Sequence, residues 1–166
     1  MKEILLNYTQ YNLWANARIT DMLKNIAPTL LDKEIKSSFS SLRKTTYHIW
    51  GAEELWWKRL HGESLPKVPA MDFTGNYEEA VKHFLEVSKK ITFLIQEKDE
   101  NYLQTLCNYK DTRGNSYIQP HWQMIMHCMN HSTFHRGQLI TMLREIGETK
   151  IPATDMIVFF REAFKK

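Results

Sequence analysis

Seven histidines fall in a chain of 166 residues, and four of them, His121, His127, His131 and His135, lie within fifteen positions. Imidazole is both a common metal ligand and a proton carrier near neutral pH, so this cluster is where chemistry is expected. The tightest pattern is His131-Ser-Thr-Phe-His135. Residues four apart share one helix face and are separated by about 6 Å along the axis, which lets two imidazoles converge on one ion. His127 adds another step of four, but about 12 Å of helical rise separates positions 127 and 135. The three cannot share an ion from a regular helix, so the segment offers a pair.

Helical phase selects the pair. At about 100° per residue, Trp122, Ile125, Met126, Met129, Ile140 and Leu143 define an apolar arc, flanked by Met124, Cys128, Met142 and Ile146. His135 falls in that flank with His131 close by, whereas His127 aligns with Glu145 on the polar side. A tetrahedral ion needs further ligands, and His48 is the best remote candidate. It sits at the margin of the stripe Leu42, Thr45, Ile49, Ala52, Trp56 and Leu60, beside Ala52 and Leu55. His61, at a helix end, and His83, near a polar face, read as surface residues.

Three neutral imidazoles leave a divalent ion its full charge and at least one open position, which is the design of a catalytic rather than a closed structural site. Such an ion lowers the pKa of a bound water from about 15.7 to about 7, or activates a thiolate. No other catalytic group is identified. Glu53 and Glu54 fall toward the polar arc and are expected to be solvated or paired with Lys58. Arg136 points about 100° away from His135 and is expected in a structural ion pair. Trp56 reads as core. No Glu-x-x-His occurs, which argues against a di-iron carboxylate bundle, and no His-Glu-x-x-His occurs, which argues against a zincin.

The elements that must position these residues are helical. Apolar and aromatic positions recur at helical spacing from about Lys2 to Ile26, closed by Pro28, and again from about Ser40 to His61, with Ser40 or Ser41 as N-cap and Gly62 as stop. Residues 63–76, with Pro66, Pro69 and Gly75, read as a long loop. A third helix runs from about Tyr77 to Lys98. Residues 102–117 break the pattern and predict either a short hairpin or an irregular crossover. The fourth helix is expected to have Pro120 at its start and to run to Ile146, ending at Gly147, and a short one is expected from Ala153 to Phe164. The fold class is therefore all-α, a four-helix bundle with one long connection, in a single domain over residues 1–166.

Composition narrows the rest. Hydrophobic residues make up 43% and the net charge is only +3, without the basic stripe that nucleic-acid binding needs. The Lys165-Lys166 end is too short for a nucleic-acid arm. Cys107 and Cys128 form no CxxC and read as free thiols of a reducing compartment. No signal peptide or membrane-length apolar run is seen, so a cytoplasmic protein is expected, with no nucleic acid and no membrane among its partners.

Three blocks carry a resemblance. His127-Cys-Met-Asn-His131-Ser-Thr-Phe-His135-Arg-Gly-Gln-Leu139, Tyr11-Asn-Leu-Trp14-Ala-Asn16 and Thr46-Tyr-His48-Ile-Trp-Gly-Ala-Glu53 resemble, in order and spacing, the DinB-like (DNA-damage-inducible) superfamily. The resemblance covers nearly the whole chain. It implies an up-down-down-up bundle, three metal ligands at His48, His131 and His135, a nickel or zinc ion with iron or manganese as alternatives, and a homodimer. Some relatives are transferases or isomerases that use low-molecular-weight thiols such as bacillithiol or mycothiol, and DNA binding is not implied. Trp14 becomes a substrate-pocket candidate because its block belongs to the family pattern. The function expected is a metal-dependent transferase or hydrolase acting on a small molecule, with a non-catalytic metal-binding stress-response module as the alternative.

Overall fold

A computed structural model describes residues 1–163. In chain order the elements are α1 (Lys2–Lys24), α2 (Pro28–Leu31), α3 (Leu42–Arg59), a 3-10 turn (Pro69–Asp72), α4 (Tyr77–Glu97), α5 (Glu100–Gln104), β1 (Leu106–Lys110), β2 (Ser116–Pro120), α6 (His121–Glu145) and α7 (Met156–Ala163).

The side-chain pairings fix the direction of each long helix. Lys2 donates to the Gln96 carbonyl, so the start of α1 meets the end of α4 and the two are antiparallel. Thr46 meets Tyr77 and Glu53 meets Ser88, so α3 and α4 run parallel. His48 faces His135 and Trp56 faces His127, so α6 is antiparallel to α3. This is the expected up-down-down-up bundle, in which each long helix packs against two others.

Local chemistry sets the boundaries. Ser41, extended in backbone, caps α3 by accepting from the Lys44 amide at 3.2 Å. Asn76 and Glu79 form a reciprocal capping box at α4. Gly147, at φ 97°, ends α6 in the left-handed conformation that glycine adopts without strain. Pro28 both closes the first helix and opens the short α2, where its missing N–H costs nothing. The break in pattern after residue 102 resolves as the hairpin alternative, with Leu106 opposite Pro120 and Lys110 opposite Ser116. The loop between the parallel helices returns along the bundle and presses on α3 at Gly51, where a Cβ would meet Val68 at 2.2 Å.

Two packing expectations need correction. Trp56 is only half-buried, because it lines an open cavity with Arg59 and the hairpin residue Tyr109, and Met126 is 40% exposed. The last residue of the expected terminal helix, Phe164, lies outside the described residues, as do Lys165 and Lys166. No described helix is long and apolar enough to cross a membrane.

Candidate metal centre

His48 from α3 and His131 and His135 from α6 come together at the bundle's side. The Nε2 of His48 lies 2.9 Å from that of His131 and 3.1 Å from that of His135. Among the described residues these three form the group of potential ligand atoms, all within 4.8 Å of one another. Donors around one tetrahedral or octahedral ion at about 2.1 Å sit roughly 3.0–3.4 Å apart, so the spacing fits. His135 is buried, while His48 and His131 are partly exposed, which leaves one side of the cluster open.

The electrostatics agree. Burial, and secondarily the proximity of the other rings, lowers the pKa of His48 to about 4 and that of His131 to about 3. Burial also lowers that of His135, opposed by its bond to Gln138. The rings are therefore neutral at physiological pH, the form that ligates metals. Three neutral Nε2 atoms cannot satisfy one another, because a single N–H on His48 serves at most one of its two contacts. One divalent cation satisfies all three lone pairs together. The donor set is thus suited to such an ion.

Two supporting residues escaped the sequence reading. Gln138 accepts from His135 Nδ1 through its Oε1 at 2.7 Å, while its own amide donates to Ser38 Oγ at 3.0 Å. That fixes the His135 tautomer with the Nε2 lone pair facing the cluster, as outer partners of metal-binding histidines generally do. Phe39, in the loop before α3, stacks on His48 at 3.8 Å and meets His135 edge-on at 5.7 Å. Gln138 stands three residues after His135, and that helical spacing was an available signal. Phe39 lies in a stretch without periodic pattern and had none.

Glu53 corrects a sequence expectation. It is neither solvated nor paired with Lys58: it is fully buried. Its Oε1 accepts from Asn12 at 2.7 Å, Asn16 at 2.9 Å and Ser132 at 2.8 Å, and its Oε2 from Ser88 at 2.5 Å. Its position faces the centre of the bundle, between α1, α4 and α6, so no part of that face reaches water. Arg136 is likewise buried, and it donates to the Oδ1 atoms of Asn12 and Asn16 rather than to a carboxylate. The two asparagines bridge the buried charges. Lys58 pairs with Glu63 instead. Glu54 is half-buried, and burial raises its pKa.

Trp14 packs on Phe159 and donates to Glu162 at 3.0 Å. Its described partners hold α7 against α1, and none belongs to the three-His cluster. His61 and His83 are exposed, as expected, and so is His127, whose ring stands 6.1 Å from that of His131. Cys107 and Cys128 are free and buried. Burial first, and Glu53 second, pushes the Cys128 thiol well up, so neither cysteine is a ready nucleophile. A cavity of about 590 Å³ beside Lys24, Glu78 and Lys89 lies away from the histidines. A smaller one of about 300 Å³ reaches Gln138 and Phe134 beside the cluster.

Comparison with known proteins places this architecture. A protein of the solved structures, YfiT from Bacillus subtilis, described as a probable metal-dependent hydrolase with an unusual four-helix bundle topology, superposes with a TM-score of 0.70 at 12% identity, over 90% of this chain and 91% of its own. A DinB-like protein from Bacillus cereus ATCC 10987 gives 0.66 at 20% identity, over 88% and 94%. Among curated proteins, Protein DinB of Bacillus subtilis is 24% identical over 173 residues, covering 100% of this chain and 99% of that one. The model of the DinB family matches residues 1–162, and the chain therefore belongs to the DinB family.

Proposed function

We propose that this protein is a metal-dependent enzyme acting on a small molecule, a hydrolase or a transferase that uses a low-molecular-weight thiol, with His48, His131 and His135 holding one divalent ion. The observation that carries this reading is the convergence of three neutral Nε2 atoms at 2.9 and 3.1 Å with two of the rings partly exposed. A closed structural site would spend a fourth protein ligand on that side. The description of the fold neighbour YfiT as a probable metal-dependent hydrolase supports the hydrolytic branch. When bound, the ion supplies a Lewis acid that activates water or a thiol near neutral pH.

The chain's own residues prepare the place. Gln138 holds His135 in one tautomer, Phe39 covers His48, and the open side admits the substrate. An all-imidazole set suits zinc or nickel, with iron or manganese lower in the affinity order. We place the reaction in the cytoplasm, where low-molecular-weight thiols are kept reduced and where Cys107 and Cys128 stay unpaired.

The test is metal content by inductively coupled plasma mass spectrometry, on untagged wild type and His135→Ala. About one equivalent in the wild type, lost in the variant, is expected. An absence of metal in both, even after reloading and dialysis, overturns the proposal. Loaded protein is then screened for thiol transfer to electrophiles and for hydrolysis of esters and amides.

A further inference from the structure

A second concentration of unsatisfied polarity lies where α3 and α6 meet the hairpin. Arg59 is 5% exposed. Its guanidinium lies 4.5 Å from the ring centre of Trp56 and 5.1 Å from that of Tyr109. Its Nε has no hydrogen-bond partner, and among the described residues no carboxylate is within ion-pairing distance of it. A guanidinium does not discharge on burial, and buried charges are ordinarily paired. Stacking on two rings compensates a cation only in part.

The same side chain lines a cavity of about 290 Å³ together with Trp56, Tyr109, Tyr117, Gln123 and His127. Asp111 lines the cavity too, but that carboxylate accepts from the amides of Arg113 and Asn115, the Asn115 side chain and the Tyr117 hydroxyl. It is committed to the hairpin turn and leaves Arg59 unpaired. The cavity therefore offers a cation, aromatic walls and amide groups, which is the composition of a site for an organic anion.

The cavity and the three-His cluster are both built from α3 and α6. His48 and Arg59 are eleven residues apart on α3, close to three turns, so they share a face about 16 Å apart along the axis. The Arg59 side chain leans back toward the helix N-terminus, as helical side chains do. His127 joins the two places, 4.9 Å from Trp56 and 6.1 Å from His131 between ring centres.

We propose that Arg59 binds the carboxylate of an elongated small-molecule ligand whose apolar body lies on Trp56 and Tyr109. Its far end extends along His127 toward the three-His cluster. A monoanion is favoured over phosphate because Asp111, in the same lining, repels each further negative charge. The anion site stands on the Arg59 cavity alone. Only the placement of the far end rests on the metal-dependent reading above.

The experiment titrates the full-length protein, ¹⁵N-labelled, with 3-phenylpropionate and with its neutral counterpart 3-phenylpropanamide. It reads the Arg59 Nε–H and Trp56 indole N–H resonances with and without zinc. A saturable shift with the acid alone, in both metal states, is expected. Arg59→Met is expected to weaken acid binding at least about tenfold and Arg59→Lys less, since the lost bonds are charge-assisted and forked. Inorganic phosphate is expected to bind more weakly than the acid. No saturable Arg59 shift up to roughly 50 mM acid, equal shifts with the amide, or tighter binding of phosphate would overturn the proposal. The wild-type comparison of acid with amide decides the matter even where Arg59→Met fails to fold. Metal content in His135→Ala fails or succeeds independently of it.

Discussion

Glu53 stands five residues after His48 on α3, and Ser132 and Arg136 each directly follow a cluster histidine on α6. The two polar groups they belong to nevertheless differ in almost every respect. Around Glu53 and Arg136 each hydrogen bond described above has a matching partner, from α1, α4 or α6, and the two charges communicate through Asn12 and Asn16. In the histidine cluster, three Nε2 atoms face one another that no single arrangement of their protons satisfies, and His131 Nδ1 is buried without a partner. A closed network rigidifies a core and specifies its packing. An unclosed one at the surface retains capacity for something not part of the chain. Adjacent residues on the same helices thus close a network inward and leave one open outward.

That division can be broken deliberately, and the largest effect is expected inward. Glu53→Ala leaves Arg136 buried without a counter-charge and strands the donors of Asn12, Asn16, Ser88 and Ser132. A loss of about 3–5 kcal/mol in urea unfolding is expected, and a loss below about 1 kcal/mol would show that the network is not structural. His135→Ala is expected to do the reverse: bound metal disappears, while the stability of the metal-free protein stays within about 1.5 kcal/mol of wild type.

Smaller effects sharpen the boundary. Gln138→Ala frees the His135 ring, and metal affinity measured by competition with a chelator is expected to fall about 10–100-fold; an unchanged affinity would remove Gln138 from the site. Acid should also find the outward cluster. The folded pKa values of His48 and His131 lie at about 4 and about 3, below the ordinary 6.5. The unfolded chain therefore takes up protons first. Their contribution to stability is whole above pH 6.5 and is lost as pH falls through 4 toward 3. In metal-free protein the urea midpoint should drop between pH 7 and pH 5, and drop less in His131→Ala; equal drops would assign the effect elsewhere. His127→Ala, one turn from His131, should leave the metal content unchanged, and loss of metal there would refute the assigned ligand set.

The outward site was largely legible in the sequence, because helical phase is written in the apolar residues. Ile125, Met129 and Leu143 fix which way α6 faces, and the phase of His131 and His135 follows. The inward network was not, because a polar residue was assumed to seek water. Glu53 lies off the apolar stripe of α3, yet in a bundle that helix is covered from more than one side. The overlooked signal was distributed: Asn12 and Asn16 four apart on α1, and Ser88 among the core residues of α4. Phe39 and the Arg59 cavity depend on a loop and a hairpin whose approach no local pattern specifies.

The separation of His48 from its partners by 83 and 87 residues has a consequence for biogenesis. The last long helix carries two of the three ligands. On the proposed reading, synthesis must pass His131 and His135 before the three imidazoles can meet, so uptake of the ion would be a late step of maturation, after α1, α3 and α4 have been made.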